Sequence, residues 1–428
     1  MEKIKSTTRN FLILTLVGLL YFLLCAFPNS TGAADEHTLF INSGDESFQY
    51  PNLIRMVTPG KDAQETRFRW IAYGHYIYGY PFYLYSALVV LPLRWIFGDE
   101  LVQHTQLILL TLRQLVSVLP MILGLGVLVY LQTRFKSLAR SLILFIFLLA
   151  IPGVVRQNLW WWHPDALAFL FAMLTLFLLE RDGLRFGRGF FLAAVACGLT
   201  TGTKIYGFFF FAAVGGYLLA GLILKRIRLG KAALYGALFM VILFATLVIS
   251  NPLLLNDSAR AKIFKVQADH NYLFTHGWED DDPYATGITP WLPIWRRYYG
   301  QEAFLIFGLL SALAAAVWGR RKLLHWLVLA WVLPYSVYVI VMIAVKPDHY
   351  WLPVMLPLLS CSLSALWLPW EDPGAKLLSK EYSPLPTFPG SVSLYRVGSY
   401  IGLVLVLVQF LLYLQHDLAI WQRLAQGG

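Results

Sequence analysis

The sequence predicts an all-α polytopic membrane protein: a bundle of about 11 transmembrane helices with interfacial helices in its first outer loop. Three observations predict it. Of 428 residues, 58% are hydrophobic and 14% charged, against about 25% charged in soluble chains. Apolar runs long enough to cross ~30 Å of hydrocarbon recur along the chain. Lys and Arg cluster in short segments between those runs, where they set topology. The net charge of +10 is therefore no nucleic-acid signal. Cys25, Cys197 and Cys361 lie within apolar runs and read as small core side chains, not a disulfide framework.

The elements follow in chain order. Residues 11–27, behind Lys3, Lys5 and Arg9, read as an uncleaved first helix. A signal peptide is the alternative, although 29–34 make only a loose cleavage site. The basic segments near 3–9, 134–140, 181–188, 225–231, 320–322 and 376–380 are assigned to the cytoplasm, so an even number of crossings separates successive ones. Helices near 11–27, 112–133, 141–156, 165–180, 190–204, 207–224, 232–250, 303–318, 323–344, 352–369 and 398–414 satisfy that parity with the N-terminus inside. Counting 80–97 as a crossing would break it. That stretch is read as interfacial or re-entrant, in keeping with Tyr73, Tyr76, Tyr78, Tyr80, Tyr83, Tyr85 and Trp95 at headgroup depth; an ordinary spanning helix is the alternative.

The chain thus divides into a transmembrane domain, 1–369, a Pro- and Ser-containing cytoplasmic connector, 370–397, and a C-terminal helix and tail, 398–428. The domain carries two outer segments, 28–111 and 251–302. The second contains His270, His276, Trp278, Asp280 to Asp282, Arg296 and Arg297. Asn29-Ser30-Thr31 and Asn256-Asp257-Ser258 are glycosylation triplets on that side.

Ionised groups are costly in hydrocarbon, at least ~2.5–3.5 kcal/mol on insertion scales, so polar clusters near span ends are candidate sites. Four fall on the outer side. Asp45 and Glu46 form an adjacent carboxylate pair; helix capping by Asp45 is the plainer reading, weakened by Pro51, which is expected to interrupt the helix. Trp160 to Asp165 set three tryptophans at the interface ahead of His163 and Asp165, with Arg156 just upstream; Asp165 can simply complement a helix dipole. Gly198 to Gly207 carry Lys204 in a break between apolar runs, where an ammonium can pair with a phosphate or snorkel to the interface. Lys346, His349 and Tyr350 open a later helix, as an anion site or as part of an aromatic belt.

In order and sidedness these motifs resemble the GT-C superfamily of membrane glycosyltransferases, which includes the protein O-mannosyltransferases, the lipid A aminoarabinose transferases and proteins with an RgtA-like domain. Asp45-Glu46, Tyr50 and Ile54-Arg55-Met56 are similar to that group's acidic pair and the tyrosine and arginine that follow. Tyr80 to Leu84, Arg113, Asp165 and Gly198 to Lys204 resemble later elements; Ile205 stands where glycine is usual. Lys346 to Pro353 resemble a basic helix-opening element, with His349 in place of arginine. The resemblance implies a GT-C-like catalytic domain that moves one sugar from a polyprenyl-phosphate donor to an extracytoplasmic lipid, glycan or protein, with inversion. It further implies Asp45, Glu46 and Asp165 as catalytic residues, and Lys204, Lys346, His349 and Tyr350 on the donor phosphate. Tyr50, Arg55, His163 and Arg156 would meet acceptor or sugar. If a divalent cation such as Mg or Mn takes part, Asp45, Glu46 and Asp165 would hold it. The compact length and short loops favour a bacterial inner membrane with the site on its periplasmic face. A secondary transporter, a lipid-linked polysaccharide ligase or polymerase, and an assembly subunit remain alternatives.

Overall fold

The computed structural model describes residues 2–32, 34–277, 284–319, 321–366 and 391–425. Trp278, Asp280 to Asp282 and connector residues 370–390 lie outside the described residues. No strand occurs among the described residues.

Helix α1 (Glu2–Asn29) is followed by three short helices, α2 (Glu36–Asn42), α3 (Gly44–Val57) and α4 (Ala63–Ile71). Asp35 and Asp62 cap α2 and α4, each accepting a backbone N–H at 2.7 Å. Contrary to the sequence expectation, Pro51 does not interrupt α3. A proline removes one backbone donor, and α3 retains a buried face of Glu46, Gln49, Tyr50, Leu53 and Met56 that holds it in place.

Next come α5 (Tyr80–Phe97), α6 (Thr105–Leu112) and α7 (Leu119–Thr133), joined by a 3-10 turn and by a π-helical stretch at Arg113–Val118. Together they make one apolar run of 54 residues. At 1.5 Å per residue a straight run of that length would far exceed ~30 Å of hydrocarbon. It is not straight: α5 returns along α6 and packs on α3. Phe82, Tyr83 and Val90 of α5 are buried there, whereas Trp95 and Ile96 are exposed.

The remaining helices are α8 (Leu138–Leu149), α9 (Pro152–Asn158), α10 (Asp165–Asp182), α11 (Arg188–Thr203), α12 (Phe210–Ile223), α13 (Leu229–Ser250), α14 (Asp257–His276), α15 (Leu292–Tyr298), α16 (Glu302–Trp318), α17 (Lys322–Met342), α18 (Leu352–Leu366) and α19 (Ser391–Ala425). Six helical stretches among the described residues are long and apolar enough to cross a membrane. The number rises to eight if α8 with α9, bent by 65°, and the segment containing α15 with α16, bent by 88°, each count as one span. The protein is an integral, multi-pass membrane protein. Helices α10, α11 and α18 fall outside that criterion. The first carries Asp165, Glu180, Arg181 and Asp182, and the others have 16 and 15 residues. All three lie inside the bundle, with α10 against α7 and α11, and α18 against α16 and α17.

The packing is that of a protein solvated by lipid. Helix α13 buries only Ala232, Phe239 and Leu243, while Val241 and Phe244 face outward. Helix α1 exposes Leu16, Leu20 and Leu24. Such apolar belts are costly in water and neutral against lipid tails.

The bundle has two chemically distinct ends. At one, Asn10 donates to the carbonyl of Phe135 (2.8 Å), Arg134 pairs with Glu180, and Arg321 bonds the carbonyl of Leu131. Asp182 closes the following turn by accepting from the backbone of Phe186 and Gly187. Four basic or polar segments distant in sequence thus share this end. The α1 helix between Asn10 and Asn29 is about 28 Å long at 1.5 Å per residue. At its far end Asn29 is buried, donates to the carbonyl of Asn158 (2.8 Å) and accepts from the backbone of Trp160 (2.7 Å). In the folded protein its amide is thus engaged and buried, unlike the exposed acceptor that the sequence expectation for that triplet calls for.

Candidate functional site

The far end of the bundle gathers the polar motifs. Helix α3 begins at Gly44, so Asp45 and Glu46 both lie in its first turn, about 100° apart around its axis. That rotation sends them to different surroundings. Glu46 is 0% exposed and faces Arg113, itself 1% exposed. The guanidinium grips the carboxylate with two bonds, Nε to Oε1 at 2.9 Å and Nη2 to Oε2 at 2.5 Å. The backbone N–H of Trp162 donates to Oε1 at 2.6 Å. Arg113 also donates to the carbonyls of Asn29 and Thr31. This network ties α1, α3, the π-helical stretch and the loop before α10 into one block. π-helical turns often accompany functional positions; here the turn carries the buried cation.

Asp45 is exposed instead. Its Oδ2 accepts one bond, from the indole N–H of Trp161 at 3.2 Å. It lines a cavity of about 480 Å³ together with Arg156, Trp161, Arg297, Tyr298 and His416. Arg156 lies over the Trp161 ring, 5.1 Å from its centroid. Ala419 and Ile420 of α19 supply an apolar wall.

Trp161 joins this cavity to a second polar group. Its ring stacks on His163 with centroids 4.2 Å apart and meets His349 edge-on at 5.0 Å. His163 is fully buried; its Nε2 lies 2.7 Å from the Tyr78 hydroxyl and its Nδ1 2.7 Å from Asp165 Oδ2. Asp165, the first residue of α10, accepts from Lys204 Nζ through Oδ1 at 2.5 Å. Lys204 sits in extended backbone between α11 and the next 3-10 turn, and its ammonium lies 5.3 Å from the Tyr350 ring centroid. Burial pushes the His163 imidazole down to about 4 despite the neighbouring carboxylate of Asp165. The loop 72–79 completes the wall: Gly79 N–H donates to the carbonyl of Thr203 at 3.2 Å. A Cβ at Gly79 would overlap the Gly202 carbonyl oxygen, so only glycine permits this approach.

The two outer segments meet over the same region. Gln267 of α14 donates to the carbonyls of Tyr76 and Ile77, at 2.5 and 2.9 Å. Asn251 donates to the Tyr73 hydroxyl at 3.2 Å. His75 lies 2.7 Å from the Tyr83 hydroxyl. Burial lowers His75, and burial with the Lys204 cation lowers His270 to about 4.

The structure therefore brings together Asp45, Arg156, His163, Asp165, Lys204, His349 and Tyr350. Other sequence candidates lie apart. Tyr50 is buried and bonded to the Thr105 hydroxyl at 3.0 Å. Arg55 holds the carbonyl of Ala72, pinning the start of the 72–79 loop. Lys346 turns to the carbonyls of Ile343 and Ala344 at 2.7 and 2.5 Å and lies over Trp291. Burial lowers Lys346 to about 8. Glu46 is engaged through both oxygens, so Asp45 and Glu46 do not act as one two-carboxylate group. Sequence reasoning reads Tyr78 and Trp161 as belt aromatics and gives His416 no role. The polar run Gln415-His416-Asp417, at the end of an apolar stretch of the C-terminal helix, is the available signal for His416.

No family model matches the chain, and no curated protein matches it.

Proposed function

We propose that this protein is a GT-C-like glycosyltransferase that moves a single sugar from a polyprenyl-phosphate donor to an extracytoplasmic acceptor. One observation carries the reading. Of two adjacent carboxylates, one is locked into the framework and the other opens into a cavity with two guanidiniums and an apolar wall. A base, a phosphate clamp and a surface for an isoprenoid tail are the three things such a transfer requires.

In this reading Asp45 takes the proton from the acceptor hydroxyl. The acceptor oxygen attacks the anomeric carbon, and the bond from that carbon to the phosphate oxygen breaks on the opposite side. Polyprenyl phosphate departs with the electron pair, and the anomeric configuration inverts. A positioned base contributes ~10²–10⁴-fold; cations at the departing phosphate add a further electrostatic term. Arg156 and Arg297 supply the planar, bidentate geometry that phosphate favours, so in this reading they take the donor-phosphate role that the resemblance implied for Lys204, Lys346, His349 and Tyr350. Lys204, fixed on Asp165, sets the field beside the site. Counting α10, α11 and α18 as crossings along with the eight candidate spans gives eleven, with α5 lying at the interface. In this reading the site faces the periplasm from a bacterial inner membrane, a compartment favoured by the compact length and short loops of the chain.

Two guanidiniums lining one cavity also suit a diphosphate, which makes a lipid-linked oligosaccharide ligase the second reading. The test is transfer by purified protein from a panel of polyprenyl-phosphate and polyprenyl-diphosphate sugars, with mass detection of the released carrier. Release of the monophosphate carrier supports the first reading, and release of the diphosphate carrier supports the second. Near-wild-type turnover by Asp45→Asn would remove Asp45 as the base.

A further inference from the structure

We propose that His163, Asp165 and His349 bind one divalent transition-metal ion. The starting point is a gap in the hydrogen bonding. His163 Nδ1 and Asp165 Oδ2 stand 2.7 Å apart, on side chains 0% and 1% exposed, yet neither atom makes an aligned hydrogen bond. Buried polar atoms are nearly always partnered, and an orphaned one carries a desolvation cost of about 1–3 kcal/mol. Here the two atoms are in close ion-pair contact but off the hydrogen-bond line, so each lone pair is left only partly satisfied. Their outer counterparts are both engaged: His163 Nε2 with the Tyr78 hydroxyl, and Asp165 Oδ1 with Lys204. A shared proton would satisfy the inner pair only along a hydrogen-bond line that the geometry lacks. A cation seated beside both lone pairs needs no such line.

The third ligand comes from another element. One ligand atom from each of His163, Asp165 and His349 lies within 4.8 Å of the other two, and the His349 ring centroid is 5.0 Å from that of His163. His349 is half-buried on the 3-10 turn before α18, so its ring can close the remaining distance by side-chain rotation. Two imidazoles and one carboxylate suit Zn, Fe, Mn or Co and disfavour Mg and Ca. The 2.7 Å separation sets the coordination. With bonds of about 2.05 Å to each atom, it corresponds to an angle of about 80° at the metal, well under the tetrahedral value. The site thus favours five or six ligands and leaves open positions for water or a substrate oxygen. The surroundings are those that metal-binding histidines use: Tyr78 on the far nitrogen of His163, Lys204 on the far oxygen of Asp165, and Asp348 Oδ1 3.6 Å from His349 Nδ1. Trp161 holds both rings from the cavity side.

This site departs from the sequence expectation, which paired Asp165 with Asp45 and Glu46. Glu46 is closed by Arg113, whereas the two histidines are already beside Asp165. The proposal does not rest on sugar transfer, because binding is measured without donor or acceptor.

The experiment uses the full-length, tag-free protein in lipid nanodiscs, stripped with chelator and titrated separately with Zn²⁺, Mn²⁺ and Co²⁺. Bound metal per chain is measured by elemental mass spectrometry after gel filtration, and the Co²⁺ form is followed by visible absorption. The expected result is about one ion per chain for at least one of the three metals, resistant to excess Mg²⁺, and a Co²⁺ spectrum with the weak bands of five or six ligands. His349→Ala, at the more exposed position, should lower affinity at least ~10-fold and shift the Co²⁺ bands while the melting temperature of the metal-free protein stays unchanged. His163→Gln should do the same to the affinity. Wild-type protein that retains no stoichiometric ion, or a His349→Ala variant with wild-type affinity and spectrum, would overturn the proposal.

Discussion

Replacing Glu46 by glutamine tests the division of labour between the two adjacent carboxylates. The substitution is isosteric, so packing is held constant while the charge is removed. The variant breaks a pair whose members are 0% and 1% exposed and linked by bonds of 2.9 and 2.5 Å, and it weakens the third bond from Trp162 N–H. Breaking a buried pair by removing one partner costs ~3–5 kcal/mol, because the other charge stays buried. At ~1.4 kcal/mol per tenfold this is roughly a hundredfold to several thousandfold in the folding equilibrium. Asp45→Asn touches one hydrogen bond on an exposed side chain and should change stability by no more than ~0.5 kcal/mol. The assay is thermal unfolding of both variants in the same detergent, followed by intrinsic fluorescence and by loss of the monodisperse gel-filtration peak. Glu46→Gln should melt well below wild type and Asp45→Asn alongside it. The double variant Glu46→Met with Arg113→Met should recover only part of the loss: apolar replacement of a buried pair is often neutral, but here the Trp162 N–H and the Asn29 and Thr31 carbonyls lose a partner. The reverse order of the two single variants would refute the assignment of Glu46 to the framework.

Two further perturbations have outcomes fixed by the geometry. Lys346 titrates near 8 instead of its ordinary 10.5 because of burial; the folded state then binds this proton more weakly than the unfolded chain, so its contribution makes stability rise with pH between about 8 and 10.5. Because Lys346 is turned to the carbonyls of Ile343 and Ala344 and away from the cavity, the donor KM of Lys346→Arg should follow the wild-type pH profile between about pH 7 and 9; a rise in wild type that the arginine variant lacks would return Lys346 to the donor phosphate. Gly79→Ala should cost ~1–3 kcal/mol by forcing the 72–79 loop off the Gly202 carbonyl, whereas Gly215→Ala, in open space within α12, should stabilise by ~0.5–1 kcal/mol; equal melting temperatures would contradict the close contact.

The helical, membrane-spanning character was legible because hydropathy and charge parity are one-dimensional. Among the described residues a helix overlaps each stretch so read, including α10 and α18, which apolar length alone would miss, but 141–156 is broken into α8 and α9 with a 65° bend. The meeting of Trp161, His163, Asp165, Lys204 and His349 was foreshadowed by their common position at span ends. What did not show in the sequence depends on contacts across the chain. Asp45 and Glu46 look equivalent until Arg113, 67 residues away, takes one of them. The π-helical turn that delivers Arg113 has no local signature. Pro51 suggested a break that the buried face of α3 overrides. Arg297 joins the cavity only because the segment containing α15 meets α16 at 88°, bringing the second outer segment over the first.

The central claim is that the cavity beside Asp45 opens on the side opposite the basic end of α1 and accepts a lipid-phosphate sugar. Cys25, Cys197 and Cys361 are all buried, so a single cysteine introduced as Ser43→Cys gives a clean report of labelling by a membrane-impermeant thiol reagent. Labelling from the outer face of sealed vesicles, with protection by a polyprenyl-phosphate sugar and none by the free sugar, is the predicted result. Labelling only from the face that carries Asn10 and Arg134, or labelling indifferent to the donor, would contradict the account.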